Sequence, residues 1–260
     1  MIRTLLQIGE AIAIKAGLPI QVNLIGSSDR TAKLILQAIK DGTSKDAFRD
    51  YDWMFLQREG SFTTAGVEYY SIPSDFDRFI NNTIWDRTND RPVLGPVGPT
   101  KWQEYESGLT GLTGLQRICR LAGPAIDNIA GIDRPVLRRV RIYPDDRDSY
   151  AGGATDPIEI AYEYISNKVI QASSGGALLA QYKDDWTSDT DVSLIDPDVI
   201  ESAALYRLLR SLGMSYSDEQ EEYNGLVAER GANDSGAETL SMARRTQTFN
   251  VNIPETGYGS

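Results

Sequence analysis

Histidine is absent from this sequence of 260 residues. That removes the Ser-His and Cys-His nucleophile pairs and the commonest zinc ligand together. Cysteine is nearly absent: Cys119 stands alone, so no disulfide can form within the chain, which suits folding in a reducing cytosol. No run of about 18 apolar residues occurs, so no helical membrane span is expected. The stretch Met1 to Lys15 carries Glu10 and lacks a small-residue cleavage site, so no signal peptide is expected. Cations are scarce beside acids: 26 Lys and Arg against 37 Asp and Glu leave a net charge of −11. Tight binding to phosphate backbones needs Lys and Arg clusters that release counterions, so the composition argues against it. An acidic wall can still stand beside DNA and repel it. What is present is enough to fold. At 41% hydrophobic the chain can fill a core, and its length fits one large domain or two small ones.

The stretch from Trp53 to Trp102 reads as the opening half of a β-domain. A turn at Gly66 feeds a short aromatic strand, Val67 to Ser71, and Pro73 stops it. Ser74 and Asp75 are expected to turn the chain by bonding nearby backbone amides. A second strand leads to Trp85-Asp86-Arg87, and a Pro/Gly run, Gly95 to Pro99, closes the unit. Gly60-Ser61 suggests a hairpin turn. Further on, Ile118 to Leu121 is a strand candidate, and Gly123 to Arg134 looks like a long loop. Strand pattern returns at Val140 to Pro144. It is clearest where Ile158, Ile160, Tyr162 and Tyr164 face one way and Glu159 and Glu163 the other, a half-buried strand with one wet face.

Helices bracket this region. Residues 1–16 repeat Ile2, Leu5, Leu6, Ile12, Ala13 and Ala16 at helical steps, with Gly17 and Pro19 as the stop. A second helix starts near Ser28-Asp29, carries Ala32, Ile35, Leu36 and Ile39, and is expected to end at Gly42. The two suit an antiparallel hairpin. Asp196-Pro197-Asp198 opens a third helix, with Ile200, Ala204, Leu208 and Leu212 at four-residue steps and Gly213 as its stop. Ser217 with Gln220 predicts a capping box for a fourth, whose apolar face is thin: Tyr223, Leu226 and Val227. The expected fold is α+β. A helical bundle from the N-terminal helices (1–50) and C-terminal helices (186–240) brackets a central antiparallel β-domain (51–185), and an extended C-terminal tail follows (241–260). In that tail Phe249, Val251 and Ile253 alternate with polar residues but have no following strand to pair with. Such a strand often joins a neighbour's sheet edge. With Arg244 and Arg245, able to pair with acids on a partner, these are the candidate partner-binding residues.

The residues offer little chemistry. Asp184 to Asp191 is the densest acidic cluster, but no Gly follows Asp189 and Asp191 as a calcium loop requires, and a solvated turn is expected. Asp234-Ser235-Gly236 resembles the surroundings of some serine nucleophiles, without a histidine to activate it. Gly108, Gly111 and Gly114 match neither phosphate-binding spacing. Trp53, Tyr69, Tyr70, Trp85 and Trp102 would suit a sugar-stacking platform, though aromatics at strand positions are more often core. A carbohydrate-binding β-module is therefore the alternative function. No cofactor or metal is expected.

One ordered set of residues carries a family resemblance. It runs from Asp52-Trp53 through Phe62-Thr63-Thr64-Ala65-Gly66, Tyr70-Ser71-Ile72-Pro73-Ser74-Asp75-Phe76 and Thr83-Ile84-Trp85-Asp86 to Trp102. It continues with Val140-Arg141-Ile142-Tyr143-Pro144, Ala161 to Asn167, Trp186-Thr187-Ser188-Asp189-Thr190-Asp191, the helix ending at Gly213, and Tyr216. This resembles the head-to-tail adaptor (tail tubular) proteins of tailed bacteriophages, mainly short-tailed ones. The resemblance implies a virion structural protein of the neck or tail, assembled in the host bacterial cytoplasm, with no enzyme activity. It implies a ring of sister subunits, usually twelve, beneath the portal protein. The ring would seat a tail nozzle or tail tube protein and pass DNA through its lumen without specific binding. The chain departs from the family pattern at Ala122 to Leu137, which is longer than the resemblance leads one to expect.

Overall fold

The computed structural model describes residues 2–64, 69–107, 117–123, 125–129, 132–136, 138–144, 157–172 and 181–234, with residues 125–129 and 132–136 as backbone. Helix α1 (Leu5–Lys15) opens on a capping box between Thr4 and Gln7, which satisfies two of the donors a helix start leaves unpaired. Ile2 falls outside it and is exposed. Helix α2 (Arg30–Asp41) is capped by Asp29, whose carboxylate accepts from the Ala32 amide, and it buries Ala32, Ile35 and Ile39. Gly42 is its C-cap, as expected, but in helical rather than left-handed geometry. The chain continues through a π turn, Gly42–Ala47. The cause is packing: a Cβ on Gly42 would meet the Ala204 amide nitrogen at 3.0 Å. With φ −62° the glycine is an ordinary helical residue chosen for close approach, not a left-handed cap.

Five strands begin the sheet region: β1 (Gln57–Thr63), β2 (Tyr70–Ser71), β3 (Phe76–Phe79), β4 (Trp85–Asp86) and β5 (Arg91–Leu94). Helix α3 (Pro99–Glu106) follows, then β6 (Arg117–Ala122), β7 (Ala125–Ile129), β8 (Ile132–Val136), β9 (Arg139–Tyr143) and β10 (Glu159–Ser166). Eight of these strands form one sheet in the order β1-β10-β4-β5-β6-β9-β2, with β3 also on β10. Phe62 of β1 stacks on Tyr70 of β2 with centroids 4.7 Å apart, so the two ends of this path meet and the sheet nearly closes. The sheet is not wholly antiparallel as expected. Strands β5 and β6 run parallel, Val93 beside Arg117 and Leu94 beside Ile118. A parallel pair needs a crossover, and α3 lies within it.

Two further expectations are corrected in the sheet. Gly60 and Ser61 make no turn; they sit mid-strand in β1, opposite Tyr162 and Ala161. A Cβ on Gly60 would lie 2.7 Å from the Tyr162 ring, so the glycine makes room for that ring. The loop expected over Gly123 to Arg134 is instead a hairpin of β7 and β8, paired from Ala125 with Val136 to Ile129 with Ile132. Its connecting pair, Ala130-Gly131, is not the Asn-Gly or Asp-Gly that marks such a turn in sequence. The hairpin fills the stretch where the chain departs from its family resemblance.

Strand β10 joins two cores. Ile158, Ile160, Tyr162 and Tyr164 are buried in the sheet core with Phe76, Cys119, Val140 and Ile142. The opposite face is wet only at Glu159 and Glu163, because Ala161 and Ile165 on that side are buried too. Ile165 enters the helical core, with Trp53, Leu56, Val169, Ile170 and Trp186. A small sheet of β11 (Ile170–Gln171), β12 (Tyr182–Lys183) and β13 (Val192–Ser193), in the order β12-β11-β13, lines that core.

The last two helices follow their caps. Helix α4 (Pro197–Leu212) has Asp196 as N-cap and Gly213 in the left-handed region, φ 73°, as C-cap. It is buried almost all round from Val199 to Leu209. Helix α5 (Ser217–Asp234) starts without the expected capping box, since the Ser217 hydroxyl donates to Asp218 instead. Its apolar face is as thin as predicted, with Tyr223 buried and Leu226 and Val227 partly so. Residues from α1, α2, α4 and α5 share one hydrophobic core, so both ends of the described chain fold together. No described helix is long and apolar enough to cross a membrane.

Candidate functional site

The acidic segment Trp186 to Asp191 is a clasp, not the solvated turn expected from sequence. Asp191 is buried and accepts from the amides of Thr187 and Ser188, each at 2.9 Å, and from Lys183 Nζ at 2.6 Å. Burial alone would raise its pKa; the Lys183 ammonium and the two amides outweigh that and hold it below the usual carboxylate range. Asp189 accepts from the Ile25 amide at 2.8 Å and from that of Leu24. The main-chain carbonyls of Asp191 and Asp189 take the Leu5 and Leu6 amides at 2.9 and 3.1 Å, filling donors that α1 leaves free at its start. The buried Trp186 indole donates to Thr43 Oγ1 in the π turn at 3.1 Å. Thus the carboxylates a calcium loop would need at Asp189 and Asp191 are occupied by N–H donors. Only the exposed Asp184 and Asp185 fit the surface reading, each beside a lysine.

A second polar hub joins the helices to the sheet. The Asp46 carboxylate in the π turn takes both the Tyr206 hydroxyl and the Arg207 guanidinium. Burial, then the bond to Asp46, pushes the Tyr206 hydroxyl up to about 12. The Tyr223 hydroxyl donates to Asp50 at 2.8 Å. From β3, Arg78 reaches Asp52 at 3.0 Å and Asp77 at 2.9 Å. Asp75 does not bond its own turn's amides, as the sequence suggested; it gathers Ser166 at 2.8 Å, Arg58 at 3.0 Å and Tyr164 at 3.1 Å. These side chains pin β1, β3 and β10 to one another.

The outer face of β6 and β9, opposite the sheet core, carries an arginine strip. Arg120 and Arg141 stand directly opposite in the register, with Arg139 beside Ala122. Both Arg120 and Arg141 lie 5.2 Å over the Trp102 ring of α3. Arg139 lies 4.2 Å over the half-buried Tyr69 ring. Arg141 pairs with Glu106 at 2.8 Å, while among the described residues no acid reaches Arg120 or Arg139. The sequence reading missed this strip. Its trace was the alternation of Arg139 and Arg141 with the buried Val140 and Ile142.

The aromatic platform considered from sequence is not assembled. Trp53, Tyr70 and Trp102 are buried, and Tyr69 is covered by Arg139. Trp85 alone of the set is exposed, at 44%, in a cleft lined by Glu59, Thr83, Arg87, Tyr162 and Glu163. Burial pushes the Cys119 thiol up to about 12, so it stays protonated at neutral pH. The candidate partner-binding residues Arg244, Arg245, Phe249, Val251 and Ile253 lie outside the described residues, as do Gly66 and the run Gly108 to Gly114. A family model described as SU10 adaptor protein matches residues 3–252, nearly the whole chain. No curated protein gives a significant match.

Proposed function

We propose that this chain, which belongs to the SU10 adaptor protein family of bacteriophage structural adaptors, forms a ring in the virion neck between portal and tail. The single observation that carries this is the family match from residue 3 to residue 252. The finer role is a head-to-tail adaptor: about twelve copies beneath the portal protein, a seat for a tail nozzle or tail tube protein, and a lumen that DNA traverses. A chain of net charge −11, repeated round a ring, would let DNA slide past without sticking. In this role the helical parts (1–50 and 186–240) and the β-domain (51–185) are the ring's body. The tail (241–260) reaches a partner through Arg244, Arg245, Phe249, Val251 and Ile253. The protein transforms no small molecule.

Mixing the purified chain with the portal of its own phage tests this. The expected product is a complex with rotational symmetry about a channel, seen by electron microscopy. A chain that stays monodisperse and unbound beside the portal contradicts the proposal. Deleting residues 246–260 is expected to leave the helix content unchanged and weaken loading; equal loading removes the role given to the tail.

A further inference from the structure

Like charges set side by side cost stability unless something outside the fold relieves them. Two such places occur here, of opposite sign. On the outer face of the sheet, Arg120 and Arg141 are direct cross-strand neighbours, an arrangement unfavourable in a sheet. Arg139 adds a third guanidinium on the same side; Glu106 pairs with Arg141, and among the described residues no acid reaches Arg120 or Arg139. On α5, Asp218 precedes Glu221 by three residues and Glu222 by four, spacings that bring like charges together on one helix face. The helix start favours Asp218 through the dipole, but that effect fades within the first turn and does not cover Glu221 and Glu222. Among the described residues no Lys or Arg lies within ion-pair distance of Asp218, Glu219, Glu221 or Glu222, and Glu221 and Glu222 are exposed.

We propose that the strip of Arg120, Arg139 and Arg141 docks on the acidic edge of α5, Asp218 to Glu222, in a second copy of this chain. This rests on the ring reading above and names the surfaces that would join its neighbours. The strip and the edge are different patches of one chain, so their union is head-to-tail, the kind of contact that closes into a ring. Trp102 and Tyr69 stack against the guanidinium groups and restrict them, which reduces the entropy lost on docking. Arginine on an aromatic bed is also the composition that dominates protein interfaces. A DNA footprint fits less well: Arg141 is already paired with Glu106, and the rest of the chain repels phosphate.

The test uses full-length chains loaded on their own portal, counted by native mass spectrometry. The Arg120→Glu/Arg139→Glu chain is expected to load about tenfold or more weakly than wild type. The Glu221→Arg/Glu222→Arg chain, altered only on an exposed helix face, is expected to show the same loss. Mixed together, the two chains are expected to load again, because alternating copies restore both pairings. That recovery also shows that both variants are folded. Wild-type loading with equal loading of either variant overturns the docking surfaces and leaves the adaptor role standing. Failure of the mixture to recover overturns them as well. Loss of binding to a DNA duplex by the arginine variant, with loading unchanged, assigns the strip to DNA instead. A wild-type chain that never loads ends both proposals.

Discussion

The two cores of this protein are closed by different means. The helical core is mostly aliphatic, built from Ile8, Ile12, Ile35, Ile39, Ile200 and Leu208, and the polar groups buried at its edge include three carboxylates beside the hydroxyls of Thr43 and Ser202. Asp191, Asp46 and Glu201 are all buried, and each is held by a cation. The sheet core is smaller and more aromatic. Phe76 meets Phe79 edge-on at 4.6 Å, and Phe79 meets Tyr162 at 5.3 Å. Its tyrosine hydroxyl at Tyr164 reaches a carboxylate at the rim, Asp75. The helical core therefore depends on buried charges brought from distant parts of the chain, and removing one partner strands the other. The sheet buries one such pair as well, Asp86 with Arg117 at 3.1 Å, but its core otherwise depends on ring shape and on space left for rings. Substitutions aimed at each should separate these dependences.

The largest effect is expected at Trp186. Replacing it by Ala empties the helical core beside the π turn and leaves Thr43 without its indole donor. A loss of about 3–5 kcal/mol is expected in urea unfolding, enough to abolish folding of a marginal domain. A loss below about 1 kcal/mol would show that the helical core does not need this side chain.

That residue also shows how far the sequence could be read. Some helix starts and stops were legible because capping is local: Asp29, Asp196 and Gly213 act within four residues of themselves, whereas the cap at Thr4 went unread and the box expected at Ser217 does not form. Strand β10 was legible from its alternation. What misled were residues whose meaning lies far along the chain. Gly42 was read as a helix end alone and is also a close contact with α4; Gly60 looked like a turn and is room for Tyr162, about a hundred positions away. Asp189 and Asp191 looked like surface acids, and their partners include Leu24 and Ile25. The arginine strip needed the β6–β9 register before its like charges could be seen as neighbours. The candidate tail residues, Arg244 to Ile253, belong to a proposal drawn from pattern alone.

Next in size is Asp191. Asp191→Ala leaves two amides and a partly buried lysine without their acceptor, so a loss of about 3 kcal/mol is expected. The pH dependence sharpens this. The folded carboxyl titrates below its unfolded value, near 3.9, so its contribution is complete above that pH. It is lost as pH falls through the lower, folded pKa, because the unfolded chain takes up the proton first. Asp191→Asn has no such proton to gain, so its deficit relative to wild type should shrink below about pH 4. A constant deficit from pH 3 to pH 7 contradicts the assignment.

Gly60→Ala probes the sheet core by overpacking. Its Cβ would lie 2.7 Å from the ring of Tyr162, which is buried and hemmed by Phe79 and Phe62. A loss of about 1–3 kcal/mol is expected. Combining it with Tyr162→Leu, which removes the clash, should cost less than the sum of the two changes. Additive losses would mean that the glycine is there for some other reason.

The smallest effect is expected at Trp85, and it bears on function more than on stability. This ring is on β4, 44% exposed, and lines the cleft with Arg87 and Glu163. Its side chain fills no core, so Trp85→Ala should change stability by no more than about 0.5 kcal/mol. A sugar platform needs several rings presented together, and Trp53, Tyr70 and Trp102 are spent inside the fold. The variant should therefore load on the portal as wild type does, and wild type should retain no glycan on an array. Specific glycan retention lost in Trp85→Ala would move this cleft from a by-product of sheet curvature to a binding site, and would reopen the carbohydrate alternative on a single exposed ring.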